Sequence, residues 1–290
     1  MSELLSGRTQ LVGVMGWPVA HSVSPPMHNA ALRALGLDWA YIPLPVPPDR
    51  LAEAVRGARA LGLRGFNATV PHKQALLSLV DELTPAARAI GAVNTVVIRE
   101  GGGSLGHNTD AGGFIRALRE AGFAPDGCGA LILGAGGAAR AVVYALASVG
   151  ARVTICNRTA ARAEALADEM RLAVAGAAIQ AAPLDGATLA RLGEGAQLIV
   201  NTTTLGMWPE VDGSPWPDEL PFPRGAFAYD LVYNPRETAF IRQARAAGAM
   251  AADGLGMLIH QGAEAFALWT GQQPPIDIMR AACERALEHR

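Results

Sequence analysis

Lysine is almost absent from this chain of 290 residues. Lysine and arginine together number 24, and Lys73 is the single lysine among them. A bias towards arginine and alanine codons explains why lysine is rare, but it does not explain why one lysine remains. Arginine keeps its proton at every useful pH, whereas lysine can exchange one. Lys73 is therefore a candidate for proton transfer, and its survival by chance is the alternative.

Cysteine and net charge are also low. The three cysteines, Cys128, Cys156 and Cys283, lie far apart in the chain, which excludes a disulfide framework and a zinc cluster. The six histidines have no metal-ligand spacing, so we expect no metal site. A net charge of −2 provides no basic surface for nucleic acid or an anionic membrane. We expect a cytoplasmic protein without nucleic-acid or membrane partners.

Long apolar segments are few. Residues 127–151 carry only Arg140 as a charge, but Gly134, Gly136 and Gly137 interrupt the segment. This pattern predicts a strand, a tight turn and a helix instead of a membrane span. The N-terminus has no charged stretch followed by an apolar one, so we expect no signal peptide. Apolar residues make up 50% and charged residues 17%, which excludes disorder, and the length fits two domains.

The second half of the chain alternates between apolar strands and helices. Strands are predicted at 130–133, 152–156, 198–200 and 226–232, and the strand at 130–133 is apolar throughout. Strands that are apolar on both faces are typical of a parallel, doubly wound sheet. The first half is also predicted to be α/β, and its polar residues concentrate in loops. The chain from residue 255 onward is predicted to be helical.

A glycine-rich turn follows the strand at 130–133. Gly134, Gly136 and Ala139 match the G-x-G-x-x-G/A pattern and stand between a strand and a helix, which is the context that dinucleotide binding requires. Gly134 permits the tight turn, and Gly136 lets the backbone approach a pyrophosphate at the helix N-terminus. The alternative is a tight turn without a ligand.

The end of the next strand discriminates between the two nicotinamide cofactors. NAD-specific sites place an acidic residue there, which accepts hydrogen bonds from the ribose. This chain instead has Asn157, Arg158 and Thr159. A guanidinium and two neutral polar side chains suit a 2′-phosphate, so we predict NADP. The alternative is that Arg158 belongs to a solvated loop.

Lys73 follows Pro71, and this order predicts that Lys73 lies in the first turn of a helix. A cation is electrostatically unfavourable at that place, which argues against a structural role. Asp110 is predicted to start another helix, and an ordinary N-cap is the simpler interpretation of it. Together the two side chains form a plausible proton-transfer pair. Small neutral polar side chains at strand ends or in loops together suit a polyhydroxylated ligand: Ser22, Ser24, Asn67, Thr69 and Asn94. The alternative for each of them taken singly is a turn or cap role.

Taken together, these motifs resemble the shikimate dehydrogenase family nearly from end to end. The resemblance rests on SVSP at 22–25, NATVPHK at 67–73, GAVNT at 91–95, NTD at 108–110, GAGGA at 134–138, NRT at 157–159, YDLVYNP at 229–235, and DGLGML at 253–258 with Gln261. Their order and spacing make the resemblance highly specific. It implies NADP-dependent, reversible reduction of 3-dehydroshikimate to shikimate.

The resemblance also implies roles for individual residues. Lys73 and Asp110 are implied to be the catalytic pair. The implied substrate contacts are Ser22, Ser24, Asn67, Thr69, Lys73, Asn94, Asp110, Tyr233 and Gln261. The implied cofactor contacts are Gly134, Ala135, Gly136, Gly137, Ala138, Asn157, Arg158, Thr159, Arg162, Thr202, Leu231 and Gly254.

The expected architecture has two domains. Residues 1–110 form an α/β substrate-binding and catalytic domain with a mixed, mainly parallel sheet. Residues 111–255 form a Rossmann-type, doubly wound NADP domain, and helices within 256–290 return to complete the first domain. The expected partner is a small-molecule substrate, and a homodimer is left open. Two other functions remain as alternatives: a quinate or aminoquinate dehydrogenase on the same scaffold, or a non-catalytic sensor that binds a nicotinamide cofactor.

Overall fold

The structure is a computed structural model that describes residues 5–288. The contacts within it divide the chain into two compact units. The first unit contains the chain up to Thr109 together with the chain from Ile259 onward, and the second unit is Asp110–Leu258.

The first unit is built on a six-stranded sheet. Its strands are β1 (Gln10–Gly16), β2 (Trp39–Pro45), β3 (Gly65–Ala68), β4 (Glu82–Leu83), β5 (Thr95–Ile98) and β6 (Ser104–His107), in the spatial order β2-β1-β3-β5-β6-β4. The strands β2, β1 and β3 are parallel, β5 is antiparallel to both of its neighbours, and β4 is parallel to β6. The helices between these strands are α1 (Ser24–Ala34), α2 (Leu51–Ala60) and α3 (Pro85–Ile90).

The second unit is built on a fully parallel sheet. Its strands are β7 (Gly129–Leu133), β8 (Arg152–Asn157), β9 (Ile179–Pro183), β10 (Leu198–Asn201), β11 (Phe227–Asp230) and β12 (Met250–Ala252). Their order, β9-β8-β7-β10-β11-β12, is that of dinucleotide-binding folds. The helices are α4 (Asp110–Glu120), α5 (Gly137–Ser148), α6 (Ala160–Ala173), α7 (Gly186–Gly193) and α8 (Ala239–Ala246). The predicted α/β class, with one mixed and one doubly wound sheet, is confirmed.

Two helices end the described chain. The helix α9 (Leu255–Thr270) starts in the second unit and continues in the first, and α10 (Ile276–Glu288) belongs to the first unit. In the first unit, α10 packs on α1, and the Trp269 indole N–H donates to the carbonyl oxygen of Val96 on β5 over 3.0 Å. Within residues 5–288, no helix is both long and apolar enough to cross a membrane.

The prediction of a helix that starts at Pro71 and contains Lys73 is wrong. The chain there forms turns, and only a short 3-10 helix follows at Ala75–Ser78. In a helix, the carbonyl oxygen of Lys73 would accept from the N–H four residues on. Here it accepts from the N–H of Val93 over 2.8 Å, just before β5. Tertiary pairing with the sheet therefore takes the acceptor that a helix needs.

Candidate functional site

The implied substrate residues of the first unit lie at one edge of its sheet. The parallel strands β1, β3 and β6 end at this edge, and the antiparallel β5 begins there, with Asn67 paired to Thr95. The loops that leave this edge carry Ser22, Thr69, Lys73 and Asn94. Topology alone thus gathers residues that are far apart in the sequence.

The two serines lie at the start of α1. Ser24 is the first residue of the helix and is buried, while Ser22 is half-buried. The backbone N–H of Ser24 donates to the Ser22 hydroxyl oxygen over 3.2 Å, and the N–H of Ser22 donates to the carbonyl oxygen of Val19 over 3.0 Å. These bonds fix the spacing of the two hydroxyl groups.

Asn67 on β3 is oriented by three hydrogen bonds. Its side-chain oxygen accepts from the Tyr41 hydroxyl over 2.7 Å, and its amide nitrogen donates to the Thr95 hydroxyl over 2.9 Å and to the Asn94 carbonyl oxygen over 3.2 Å. Tyr41 also hydrogen-bonds to the Ser24 side chain, and burial raises the pKa of its hydroxyl well above the ordinary value. Tyr41 therefore stays neutral and joins two implied substrate contacts, a role that its place in an apolar strand did not reveal.

Asn94 is the centre of a second set of hydrogen bonds. Its side-chain oxygen accepts from the backbone N–H of Thr109 over 2.8 Å, and its amide nitrogen donates to the Thr109 hydroxyl over 3.0 Å. The same amide nitrogen lies 3.3 Å from the Gln261 side-chain oxygen, which accepts from it. Gln261 is on α9, so a helix near the C-terminus supplies a group to the polar cluster around Asn94.

Lys73 and Asp110 flank this cluster along the chain. The backbone N–H of Val93 donates to the backbone carbonyl oxygen of Lys73, and Val93 directly precedes Asn94 in the chain. Asn94 in turn holds Thr109, which directly precedes Asp110, the buried first residue of α4. Thr69 lies between β3 and Lys73, and its N–H donates to the carbonyl oxygen of Met15 over 2.9 Å.

In the second unit, the implied cofactor residues lie in loops at the carboxyl ends of the parallel strands. Gly134 follows β7 with a φ of +114°, and a Cβ there would lie 2.6 Å from the Thr202 hydroxyl oxygen. Position 134 therefore requires glycine. The Thr202 hydroxyl is itself fixed, because it donates to the carbonyl oxygen of Leu133 over 2.8 Å.

The N-terminus of α5 has the shape of an anion site. Its N-cap, Gly136, provides no side-chain hydrogen bond, and no heavy atom lies within 4 Å of the Cβ position at either Gly136 or Gly137. Backbone N–H groups at a helix N-terminus favour negative charge. Ala135 and Ala138 complete this turn and are half-buried. The open space and the missing cap fit a dinucleotide pyrophosphate.

Two exposed guanidinium groups follow β8, that of Arg158 in the turn after the strand and that of Arg162 in the first turn of α6. Arg158 and Arg162 are both exposed, and their side chains have no hydrogen bond or ion pair to any residue between 5 and 288. Asn157 shapes the turn after β8, since its amide nitrogen donates to the carbonyl oxygen of Thr159 over 2.9 Å. The N-cap Thr159 leaves its hydroxyl unused by α6. This set of donors fits a phosphate group.

The loops after β11 and β12 approach each other closely. A Cβ at Gly254 would lie 2.1 Å from the carbonyl oxygen of Leu231, so only glycine fits. The N–H of Gly254 donates to the carbonyl oxygen of Val232 over 3.1 Å, and the half-buried Tyr233 follows directly.

A buried carboxylate at the end of β11 was not predicted from the sequence. Asp230 has no exposed surface, and it accepts hydrogen bonds from Asn201, Val232 and Thr238. Its signal in the sequence is a charged residue that ends an apolar strand. Across residues 5–288, no group of three histidine, cysteine or acidic side chains could hold a metal ion.

Three family models match the chain. They are the shikimate dehydrogenase substrate binding domain over residues 14–96, shikimate / quinate 5-dehydrogenase over 118–189, and the shikimate 5'-dehydrogenase C-terminal domain over 254–284. A shikimate dehydrogenase (NADP(+)) from Rubrobacter xylanophilus is 50% identical over 280 residues, 96% of each chain. One from Geobacter metallireducens is 48% identical over 289 residues, 98% of this chain and 99% of its own. The chain belongs to the shikimate dehydrogenase family.

Solved structures of shikimate dehydrogenases have the same fold. One in complex with NADP+ has a TM-score of 0.90 and 39% identity, and the match covers 98% of both chains. The Thermus thermophilus enzyme in complex with NADP(H) and shikimate has a TM-score of 0.87 and 43% identity, over 96% of this chain and all of that one. A quinate dehydrogenase from Corynebacterium glutamicum, in complex with NAD, has a TM-score of 0.87 and 34% identity, over 94% of this chain and 98% of that one.

Proposed function

We propose that this member of the shikimate dehydrogenase family is an NADP-dependent shikimate dehydrogenase, which reversibly reduces 3-dehydroshikimate to shikimate. The reaction belongs to the shikimate pathway of aromatic amino-acid biosynthesis. The observation that carries the proposal is the cluster of neutral polar groups around Asn94, at the sheet edge where Lys73 also lies. The relatives named for this activity at 48–50% identity over nearly the whole chain support it.

Most of the proposed substrate contacts are neutral hydrogen-bonding groups. A ring with several hydroxyl groups needs donors and acceptors at fixed places, and each must be pre-oriented to be effective. Asn67 and Asn94 meet this need, because each side chain has several of its hydrogen-bonding positions occupied by protein partners. The proposed substrate contacts are Ser22, Ser24, Asn67, Thr69, Lys73, Asn94, Asp110, Tyr233 and Gln261.

Lys73 and Asp110 act as the proton-transfer pair. In the reduction, the ammonium group of Lys73 gives a proton to the substrate oxygen as negative charge develops on it. The carboxylate of Asp110 balances the charge of the ammonium and orients it. In the oxidation, the pair takes the proton back. The backbone links through Val93, Asn94 and Thr109 support this assignment, because they hold both residues close to one polar cluster.

The cofactor, when bound as NADPH, would supply the hydride that reduces the substrate carbonyl carbon, and as NADP+ it would accept the hydride in the oxidation. Gly134, Gly136 and the first turn of α5 would hold its pyrophosphate, and Arg158 with Arg162 would hold the 2′-phosphate. The open backbone at Gly136 and Gly137 and the exposed guanidinium groups support this placement. The remaining contacts are Ala135, Ala138, Asn157, Thr159, Thr202, Leu231 and Gly254. We also propose a cytoplasmic location, which the three buried free cysteines suit.

A matrix of two substrates and two cofactors tests the activity. Shikimate and quinate are each assayed with NADP and with NAD, and the change in absorbance at 340 nm is followed. We expect the highest kcat/KM for shikimate with NADP. A higher value for quinate would favour quinate dehydrogenase, the function of one structural neighbour. No turnover with any pair, with binding of NADP retained, would favour a sensor.

Substitution of the single lysine tests the catalytic assignment. Lys73→Ala is expected to lower kcat by at least about 10²-fold, with a far smaller change in the KM for shikimate. Lys73→Arg is the matched variant, since it keeps the positive charge but cannot exchange the proton. If kcat of both variants stays within about fivefold of the wild type, Lys73 is not the acid–base group.

A further inference from the structure

The carboxylate of Asp230 joins three separate segments at the carboxyl ends of the strands in the second sheet. Its Oδ1 accepts from the Asn201 side chain at the end of β10 over 2.9 Å and from the backbone N–H of Val232 over 3.0 Å. Its Oδ2 accepts from the hydroxyl of Thr238, the N-cap of α8, over 2.6 Å. Each bond ends on a different loop or helix start.

Asn201 extends these links to the loop after β10. Its side-chain oxygen accepts from the backbone N–H of Thr203 over 2.9 Å and from the hydroxyl of Thr203 over 2.7 Å. Its amide nitrogen reaches the carbonyl oxygen of Leu205 over 3.3 Å. The backbone N–H of Leu231 donates to the Asn201 carbonyl oxygen over 3.0 Å. The conformations of both loops therefore depend on one pair of buried polar side chains.

An ionised carboxylate at this place is costly for the fold. Asp230 has no exposed surface, and burial raises the pKa of its carboxyl to about 7 although three donors partly oppose the shift. Asp253 raises this pKa further, and Asp253 is itself paired with Arg236, at 2.7 Å. An apolar residue or asparagine would avoid the desolvation penalty. Asp230 costs stability, yet it organises the loops that carry proposed ligand contacts at the carboxyl ends of the strands. Function explains such a group more readily than stability does.

We propose that Asp230 is a positioning residue of the dehydrogenase, which holds the segment Leu231–Tyr233 and the loop after Asn201 in the conformation that binds cofactor and substrate. Asp230 has no exposed surface with which to touch either ligand. It acts through Leu231, a proposed cofactor contact, and through Tyr233, a proposed substrate contact. This inference rests on the proposed function for the roles of those two residues.

The change Asp230→Asn separates positioning from stability. Asparagine fits the same space, but its amide nitrogen can only donate towards the Thr238 hydroxyl, and its neutral oxygen is a weaker acceptor for Asn201 and Val232. The loop then spends less time in the binding conformation, which raises apparent dissociation constants. The matched control is Asp185→Asn, the same chemical change at the exposed N-cap of α7, where the side chain accepts from Thr188 over 2.8 Å.

The experiment measures the Kd for NADP by titration, the KM for shikimate and kcat, and the thermal unfolding midpoint without ligands at pH 8. For Asp230→Asn we expect about a tenfold rise in Kd and KM, the effect of weakening a hydrogen bond to a charged group, with an unchanged or higher midpoint. Because burial raises the pKa of Asp230 to about 7 in the folded state, stability falls as the pH rises from the ordinary carboxyl range to about 7. At pH 8 the full cost of the buried charge is present, and asparagine removes that cost.

Three results would overturn the proposal. The first is unchanged Kd and KM in Asp230→Asn, and the second is a lowered midpoint with unchanged KM, which indicates a structural role only. A rise in Kd and KM of the same size in Asp185→Asn would also overturn it, because the effect would then not be specific to this carboxylate. Absence of turnover in the wild-type enzyme would refute the proposed function instead, and the Kd for NADP would still test whether Asp230 positions the cofactor loop.

Discussion

Removal of one buried hydroxyl group, in Tyr41→Phe, tests whether the polar network behind the substrate residues matters. Tyr41 is only 1% exposed, and its ring stacks on His28 with a centroid distance of 4.2 Å and an interplanar angle of 4°. Phenylalanine keeps the ring and the stacking, so the variant isolates the hydroxyl. That hydroxyl donates to Asn67 over 2.7 Å and also hydrogen-bonds to Ser24.

The expected loss follows from the groups that remain. Without the hydroxyl, the buried side-chain oxygen of Asn67 loses the donor that the structure gives it, and an unsatisfied buried acceptor costs about 1–3 kcal/mol. Asn67 can recover part of this by turning, which misplaces a proposed substrate contact. We therefore expect the thermal midpoint to fall by about 2–4 °C for each kcal/mol lost. The KM for shikimate should rise about 5- to 30-fold, which corresponds to 1–2 kcal/mol of lost positioning, with a smaller change in kcat.

The control is Tyr144→Phe on α5, a half-buried tyrosine whose hydroxyl makes no hydrogen bond with any residue in 5–288. Steady-state kinetics and thermal unfolding of both variants are compared with the wild type. If Tyr41→Phe matches the wild type in KM and midpoint, the network does not orient Asn67, and the reasoning fails. A lower midpoint with an unchanged KM would limit Tyr41 to the stability of the first unit.

Two further substitutions probe the cofactor loops. Arg158→Ala should weaken NADP binding about 10- to 150-fold, the value of a hydrogen bond to a charged group, and leave NAD nearly unchanged. The control, Arg56→Ala, removes an exposed arginine on α2 and should change the binding of neither cofactor. If Arg158→Ala weakens the binding of both cofactors equally, the Arg158 side chain supports the loop and does not bind the phosphate. Gly254→Ala should weaken NADP binding and lower the thermal midpoint, because the new Cβ would lie 2.1 Å from the Leu231 carbonyl oxygen and overpacking costs about 1–3 kcal/mol. Gly225→Ala, with no heavy atom near its Cβ position, is its control, and an unaltered Kd in Gly254→Ala would contradict the close approach.

The sequence was most informative where structure depends on neighbours in the chain. The strand, glycine turn and helix at β7 and α5 form one continuous segment, so apolar periodicity and the φ freedom of glycine suffice to predict them. The missing acid at Asn157–Thr159 is also a local feature, and so is the scarcity of lysine. The edge strands β9 and β12 were not predicted, because they are half-exposed and lack the apolar run of a central strand.

Tertiary structure decided the rest through bonds between distant residues. Asn94 and Gln261 are 167 residues apart in the chain, and the amide of one donates to the other only because α9 ends in the first unit. Tyr41 stands in a strand without a local feature that distinguishes it from a core residue, and the charge of Asp230 at the end of β11 does not reveal which groups it binds. The predicted helix at Lys73 failed for the same reason, since the backbone N–H of Val93, just before β5, donates to the carbonyl oxygen that a helix would need. Local sequence specifies which residues are available, and the partners that each buried polar group must find are determined only when the sheet is assembled.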